Sequence, residues 1–360
     1  MYMLEAAYYN QQRYNNLIKL NGYTDVHFAP IDFALGKYPA DQIATKWLCQ
    51  IGADTFASRL NTGEPSIVCT GIGLSGAPHA GTLSQIMKAI ALQNHSIPVQ
   101  MVLGDVDAHL GKRRNKQIIP LSYVDDLAGR YSEFAEGLGF NNSAPSTLRT
   151  QIEHTDVMRT SILITPYVTD EMFVSAEEEL HAEYVNLGKV DSTMTPSRKA
   201  SLLLMTADFL HHPLAGRILN VCVTLGVDEH QYVRFGQQVL EHMRENGVAP
   251  FEASLAGIYT TMLRGFNGAT KQSKSIPGSG VDATMSAVEI VKRITLEDTY
   301  TPDQPEDNPT LQMIEALENY SMQELLVIRE QCNRRDQNWD NIKHRFADYV
   351  VELFSHWRNE

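Results

Sequence analysis

The chain is poor in cysteine: four thiols (Cys49, Cys69, Cys222 and Cys332) in 360 residues, with no CxxC pair. That spacing argues against a zinc cluster and against a disulfide framework, and it fits reduced thiols in a cytoplasmic protein. It is also short of positive charge, with 30 Lys and Arg against 43 Asp and Glu and a formal net charge of −13. Such a chain is no general binder of phosphate backbones, so any contact with nucleic acid needs a local basic patch. No apolar run approaches the roughly 20 residues that cross a bilayer. The start, MYMLEAAYYNQQRYNN, lacks the basic and then apolar pattern of a secretion signal. What is present, 43% hydrophobic, 20% charged and 8% aromatic residues, is the composition of a globular protein with one large domain or two unequal ones.

Residues 1–65 read as a mainly helical segment packing on the domain downstream, with QIATKWLCQIGADTFASRL (42–60) as its clearest helix. Ser66–Gly71 is a short apolar strand, followed by the turn GIGLSGAPHAG. Leu83, Ile86, Met87 and Ile90 then fall on one helix face, and residues 97–104 form a second apolar strand. Strand, glycine turn, helix and strand make a βαβ unit, the signature of a parallel sheet. The pattern continues with a helix near 121–138, a strand at 147–152, helices around 170–187 and 196–211, a strand at 219–226 and a helix over 228–243. Residues 297–310 are rich in Pro, Asp and Glu and read as a linker. Beyond it, Ser321 and Glu324 have capping-box spacing, and Ile342, Phe346, Tyr349, Val350 and Leu353 mark a last amphipathic helix. The expected architecture is a doubly wound, Rossmann-like α/β catalytic domain (66–296, with a helical insertion at about 105–200) and a short acidic helical domain (297–360).

Four patches carry chemistry, and the pattern places them near the carboxyl ends of strands, where open α/β sheets hold ligands. Pro78-His79-Ala80-Gly81-Thr82 opens a helix, whose free N–H groups suit a phosphate. Lys271-Gln272-Ser273-Lys274-Ser275 interleaves lysines with hydroxyls, a set that neutralises charge developing on a polyphosphate. Gly226-Val227-Asp228-Glu229-His230-Gln231 offers a carboxylate to ribose hydroxyls. Asp208 stands on a helix with an apolar front. Taken singly, each has a plain structural reading: a surface histidine, a solvated loop, an aspartate N-cap and a satisfied buried carboxylate.

Their order is more specific. PHAGT and KQSKS resemble the HIGH and KMSKS signatures of the class I aminoacyl-tRNA synthetases. Gly71-Ile72-x-x-Ser75-Gly76, TADFLHH and VTLGVDEHQYVRFGQQV are similar to motifs of the tryptophanyl and tyrosyl enzymes. The resemblance implies activation of an aromatic amino acid by ATP with Mg²⁺, tryptophan favoured over tyrosine, and transfer of the acyl group to tRNA. By similarity, Gly71, Ile72, Gly73, His79, Gly81, Thr82, Gly226, Asp228, Lys271, Ser273, Lys274 and Ser275 would bind ATP. His79, Lys271 and Lys274 would be catalytic, and Asp208 and Gln231 would contact the amino acid. No protein-held metal cluster is implied. A homodimer is implied, through helices between the two halves of the sheet, as is a tRNA contact near Lys112, Arg113, Arg114 and Lys116.

There are departures from the family pattern. Thr82 stands for the second histidine of HIGH, Gln272 for the methionine of KMSKS, Gly73-Leu74 for a common Gln-Pro, and Glu229 for a glutamine. Residues 276–360 hold 8 Lys and Arg against 16 Asp and Glu. That balance repels a polyanion unless cations such as Arg334, Arg335, Lys343 and Arg345 gather on one face. Two other readings are compatible with the resemblance: an adenylate-forming relative with a non-tRNA acceptor, and a non-catalytic binder of amino acid or nucleotide.

Overall fold

A computed structural model describes residues 10–111, 113–114, 117–177, 194–269, 271–272, 278–296 and 307–357, with 113, 114 and 117 by backbone alone. The chain begins with α1 (Gln11–Asn21), β1 (Thr24–Asp25), α2 (Ala40–Lys46), β2 (Cys49–Ile51) and α3 (Ala53–Asn61). The first βαβ unit comes next as β3 (Ser66–Gly73), α4 (Ala80–Asn94) and β4 (Val99–Gly104). Then come α5 (Asp105–Gly111), the small ribbon β5 (Arg113–Arg114) and β6 (Gln117–Ile118), α6 (Leu121–Gly137), β7 (Thr147–Thr150), α7 (Thr155–Leu163) and α8 (Asp170–Ser175). The second half has α9 (Pro196–Leu214), β8 (Asn220–Gly226), α10 (His230–Glu245) and β9 (Ser254–Thr260). Four helices complete the described chain: α11 (Ala287–Leu296), α12 (Pro309–Leu317), α13 (Met322–Arg334) and α14 (Gln337–Ser355).

The seven-stranded sheet has the order β1-β2-β9-β8-β3-β4-β7. From β9 to β7 all neighbours are parallel, and β2 and β1 add antiparallel strands at one edge. Counted along the chain, the parallel strands lie in the order 3-2-1-4-5, so the topological switch falls between β3 and β8. Alternation along each strand feeds two cores, one on each face. Val68, Cys222, Ala256 and Ile258 pack with α4, α6 and the C-terminal helices, and Ile67, Cys69, Val221, Val223 and Tyr259 pack with α1, α9 and α10. Buried on both faces, the central strands are near-continuous apolar runs.

The single helix expected over 42–60 is two helices around a strand. Leu48 N–H donates to Tyr259 O at 2.7 Å, Gln50 is paired with Ile258, and Gly52 turns the chain at φ +72°. Trp47, Leu48 and Cys49 are wholly buried, so sheet pairing overrides the helical periodicity. Strand β9 was not foreseen in the sequence, and it supplies the bridge between β8 and β2. The strand and helix expectations from 66 to 152 and from 196 to 243 match, with shifts of a few residues at the ends. The helix expected over 170–187 stops at Ser175, and residues 307–310, expected as linker, are buried where Asn308 caps α12. Residues 178–187 and 297–306 lie outside the described residues. The capping box forms, with Ser321 accepting from Glu324 N–H and the Glu324 carboxylate accepting from Ser321 N–H at 2.8 Å. The end of the chain packs on α6: Trp357 meets Tyr131 and Phe134 at 5.0 and 5.6 Å between ring centroids, with the Arg130 guanidinium over its ring.

Candidate active site

The site is built from the β3 end outward. His79 is the N-cap of α4, and its Nδ1 accepts the N–H groups of Gly81 and Thr82 at 3.0 and 3.3 Å. An accepting Nδ1 leaves the proton of the neutral ring on Nε2, so the ring is oriented with a donor at its far nitrogen. Gly81 is required by this cap, because a Cβ there would lie 2.8 Å from His79 Cε1. The turn is held from the other motif. Ala80 N–H donates to Val281 O at 3.1 Å, Ala283 N–H donates to Pro78 O at 3.0 Å, and His79 bridges Asp282. The chain just beyond the KQSKS segment is thus stitched to the PHAGT turn at a helix N-terminus.

The second wall forms where β8 ends. Gly226 leads into a short 3-10 turn, Val227–Glu229, before α10. The Asp228 carboxylate folds back over Gly226, where a Cβ would lie 2.6 Å from its Oδ1. Lys271 Nζ donates to Asp228 Oδ2 at 2.8 Å. Gln272 is buried with its amide oxygen and nitrogen both unpartnered among the described residues. Ser273, Lys274 and Ser275 lie outside the described residues.

A pocket of about 210 Å³ opens at the carboxyl ends of the parallel strands. Its rim is Thr70, Gly71, Ile72 and Gly73 from β3, Val102 and Gly104 from β4, and Leu225 from β8, the strand ends that flank the switch point. Asp107, Gln151, Ser201, Met205, Asp208, Phe209, Glu229 and Tyr232 complete much of the lining. Asp208 is 2% exposed, and both its oxygens are engaged: Oδ1 by Arg149 Nη2 at 2.8 Å and Oδ2 by Gln151 Nε2 at 2.7 Å. Burial pushes its carboxyl up to about 6, against the pull of the Arg149 charge and these hydrogen bonds. Gln151 is itself fixed. Its Oε1 accepts Asp107 N–H at 2.9 Å, and its own N–H donates to buried Asp105 at 2.7 Å. Behind Asp208, Gln100 donates to the Asp208 carbonyl at 2.9 Å and pairs with His212 Nε2 at 3.0 Å. Burial pushes His211 down to about 2 and His212 down to about 4, so both rings are neutral at pH 7.

Solved structures share this architecture. The tryptophanyl-tRNA synthetase of Aeropyrum pernix superposes with a TM-score of 0.74 at 19% identity, over 96% of this chain and 94% of that one. The chain has the fold of the tryptophanyl- and tyrosyl-tRNA synthetases. A tryptophanyl-tRNA synthetase homolog from Entamoeba histolytica matches at 0.73 and 14% identity, over 95% of this chain and 91% of that one. The tyrosyl-tRNA synthetase of Aeropyrum pernix matches at 0.67 and 17% identity, over 88% and 92%. No family model matches the sequence, and no curated protein does.

Within this fold, the residues that the sequence singled out fall in three groups. His79, Gly81 and Thr82 share the α4 cap, while Gly226, Asp228 and Lys271 meet where β8 ends. Gly71, Ile72, Gly73 and Asp208 line the pocket. Gln231 does not: the pocket takes Glu229 from the 3-10 turn and Tyr232 from α10, and Gln231 Oε1 is buried without a partner among the described residues. The sequence reading missed Arg149 and Gln151. Their available signal was position, at and just beyond the carboxyl end of a parallel strand. Lys112 and Lys116 lie outside the described residues, as do the side chains of Arg113 and Arg114.

Proposed function

We propose that the protein activates an aromatic amino acid with ATP, tryptophan before tyrosine, and passes the acyl group to tRNA. The observation that carries this reading is the backbone pairing of residues 78–80 with 281–283, which ties the PHAGT turn to the chain just beyond the KQSKS segment. The α4 N-terminus and His79 would take the ATP phosphates, and Gly226 and Asp228 the ribose. Lys271 would exchange Asp228 for the polyphosphate, joined by Lys274, Ser273 and Ser275. The amino acid would enter the pocket, its ring toward Asp208. In the reaction a carboxylate oxygen of the amino acid bonds to the α-phosphorus, the α–β bridging bond breaks, and pyrophosphate leaves with that electron pair. The protein positions the reactants and stabilises charge.

Mg²⁺ would travel on the phosphates and neutralise them there. Among the described residues no group of three His, Cys, Asp or Glu could hold a metal ion. A homodimer would use α7, where Met158, Ile162 and Leu163 are exposed while Val157 and Thr160 are buried. Exposed apolar side chains on one helix would suit a second copy of the chain. No helix among the described residues is long and apolar enough to cross a membrane.

A second reading, an adenylate former with a non-tRNA acceptor, is favoured by the C-terminal helices. Arg334, Lys343 and Arg345 are each ion-paired within that acidic region, with Glu330, Asp340 and Glu318. Amino-acid-dependent exchange of pyrophosphate into ATP, measured for all twenty amino acids, tests the activation step. A charging assay with total tRNA then separates the two readings. Exchange with an aromatic amino acid is expected, and exchange with none of the twenty would refute the proposal.

A further inference from the structure

We propose that Arg149 is a positioning residue for side-chain selection: through its ion pair with Asp208 it keeps that carboxylate a hydrogen-bond acceptor on the pocket wall. The inference rests on the amino-acid reading of the pocket given above. Arg149 sits on β7, the outermost parallel strand, and is not among the lining residues, so it acts on a ligand through Asp208. The pair is deeply placed, with side-chain exposures of 11% for Arg149 and 3% for Asp208 and an N–O separation of 2.8 Å.

The lone-pair arithmetic leaves room for a ligand. A carboxylate offers about four acceptor sites. Arg149 and Gln151 occupy one on each oxygen, so each oxygen keeps one, and Asp208 lines the pocket. Gln151 cannot rotate to take over the task, because its Oε1 is held by Asp107 N–H while its Nε2 faces Asp208. The neighbouring groups do not replace Arg149 as a source of positive charge. Asp107 on α5 opposes ionisation of Asp208, and burial holds the Cys69 thiol on β3 protonated. Burial also pushes His154, beside α7, and His211 and His212, on α9, down toward the neutral form. Arg198, also on the pocket lining, is 3.8 Å from Glu177. Without Arg149, desolvation would govern Asp208, which would hold its proton at neutral pH and present an O–H donor instead. The wall would then reject the ring N–H or O–H that an ionised carboxylate selects.

The test compares two ligand pairs that differ in one donor: tryptophan against benzothienylalanine, and tyrosine against phenylalanine. Dissociation constants are measured from about pH 5 to 9 for the wild type, Arg149→Met, Arg149→Lys and Asp208→Asn, with circular dichroism as a check on folding. For the pair that binds, the wild type should prefer the donor-bearing member by about tenfold or more above pH 7. That preference should fall on acidification with a midpoint near 6, the value to which Asp208 is pushed. Arg149→Met should move the midpoint up by about one pH unit or more, Arg149→Lys should restore it toward the wild type, and Asp208→Asn should flatten the ratio. An Arg149→Met protein with the wild-type ratio and midpoint overturns the proposal. So does an equal loss of affinity for both members of a pair, which would mark a structural role only. If Arg149→Met does not fold, a wild-type ratio independent of pH between about 5 and 7 overturns it as well. Binding of none of the four ligands by the wild type would instead refute the amino-acid reading, and this inference with it.

Discussion

Lys271 Nζ lies 2.8 Å from Asp228 Oδ2, so the lysine expected on phosphate and the aspartate expected on ribose begin as each other's partners. Both side chains are largely buried, with exposures of 16% and 7%. If nucleotide binds here as proposed, its phosphates would take over from Asp228 as the compensating charge for Lys271. Replacing Lys271 with alanine should lower the rate of pyrophosphate exchange by about 10²–10³, the usual cost of removing one donor from a developing negative charge. Steady-state kinetics check this, and unchanged turnover would remove Lys271 from the phosphate site.

The α4 cap makes a separate prediction. Gly81→Ala places a Cβ 2.8 Å from His79 Cε1, and the ring must move off its cap. The loss of one oriented hydrogen bond to phosphate should raise the KM for ATP by about tenfold or more while the KM for the amino acid stays within about twofold. Measuring both constants on the same protein separates a local effect from general damage.

Two buried lysines set a pH dependence of stability. Lys88 on α4 has Ser84 as its hydrogen-bond partner, and burial, with the nearby Lys46 charge, pushes its ammonium down to about 7. Lys46 caps the last carbonyls of α12 at Glu315 and Glu318, and burial pushes it down to about 8. Folded, these groups bind fewer protons than they do unfolded, between the lowered values and the ordinary 10.5 of lysine. Their combined effect therefore makes stability rise with pH across that window, with the full penalty present below about 7. Lys88→Met should stabilise the protein by about 1–3 kcal/mol at pH 6 and by progressively less toward pH 10. Thermal unfolding of the two proteins at a series of pH values reads this out, and a gain that grew with pH would contradict it.

Ile162 is 73% exposed on α7. If a second copy covers this face, Ile162→Asp should convert a dimer to a monomer with little change in the circular dichroism spectrum, because a charge is costly to bury in an apolar interface. Sedimentation at micromolar concentration decides between a monomeric and a dimeric mutant.

The central βαβ unit was legible because its strands are buried on both faces and its helix has a clear apolar stripe. Trp47 and Leu48 misled for a definite reason: their spacing suits a helix, while their partners are Thr224 and Tyr259, far away in sequence. Strand β9 hid for a related reason, since SLAGIYT mixes small and aromatic residues and takes its identity from β8 and β2. Among site residues, His79, Gly81, Asp228 and Lys271 stood out because nearby glycines and hydroxyls made them locally unusual. Arg149 did not, because one arginine in TLRT carries no local sign of the aspartate it meets 59 positions later.

The most direct measurement is product analysis on a single turnover. Protein in excess is mixed with Mg-ATP and tryptophan, or tyrosine, then quenched, and adenylate and pyrophosphate are quantified by mass spectrometry. Aminoacyl-adenylate and pyrophosphate are expected in equal amounts, formed about 10²–10³ times more slowly by Lys271→Ala. Release of ADP and phosphate, or no amino-acid-dependent product with either substrate, would contradict it.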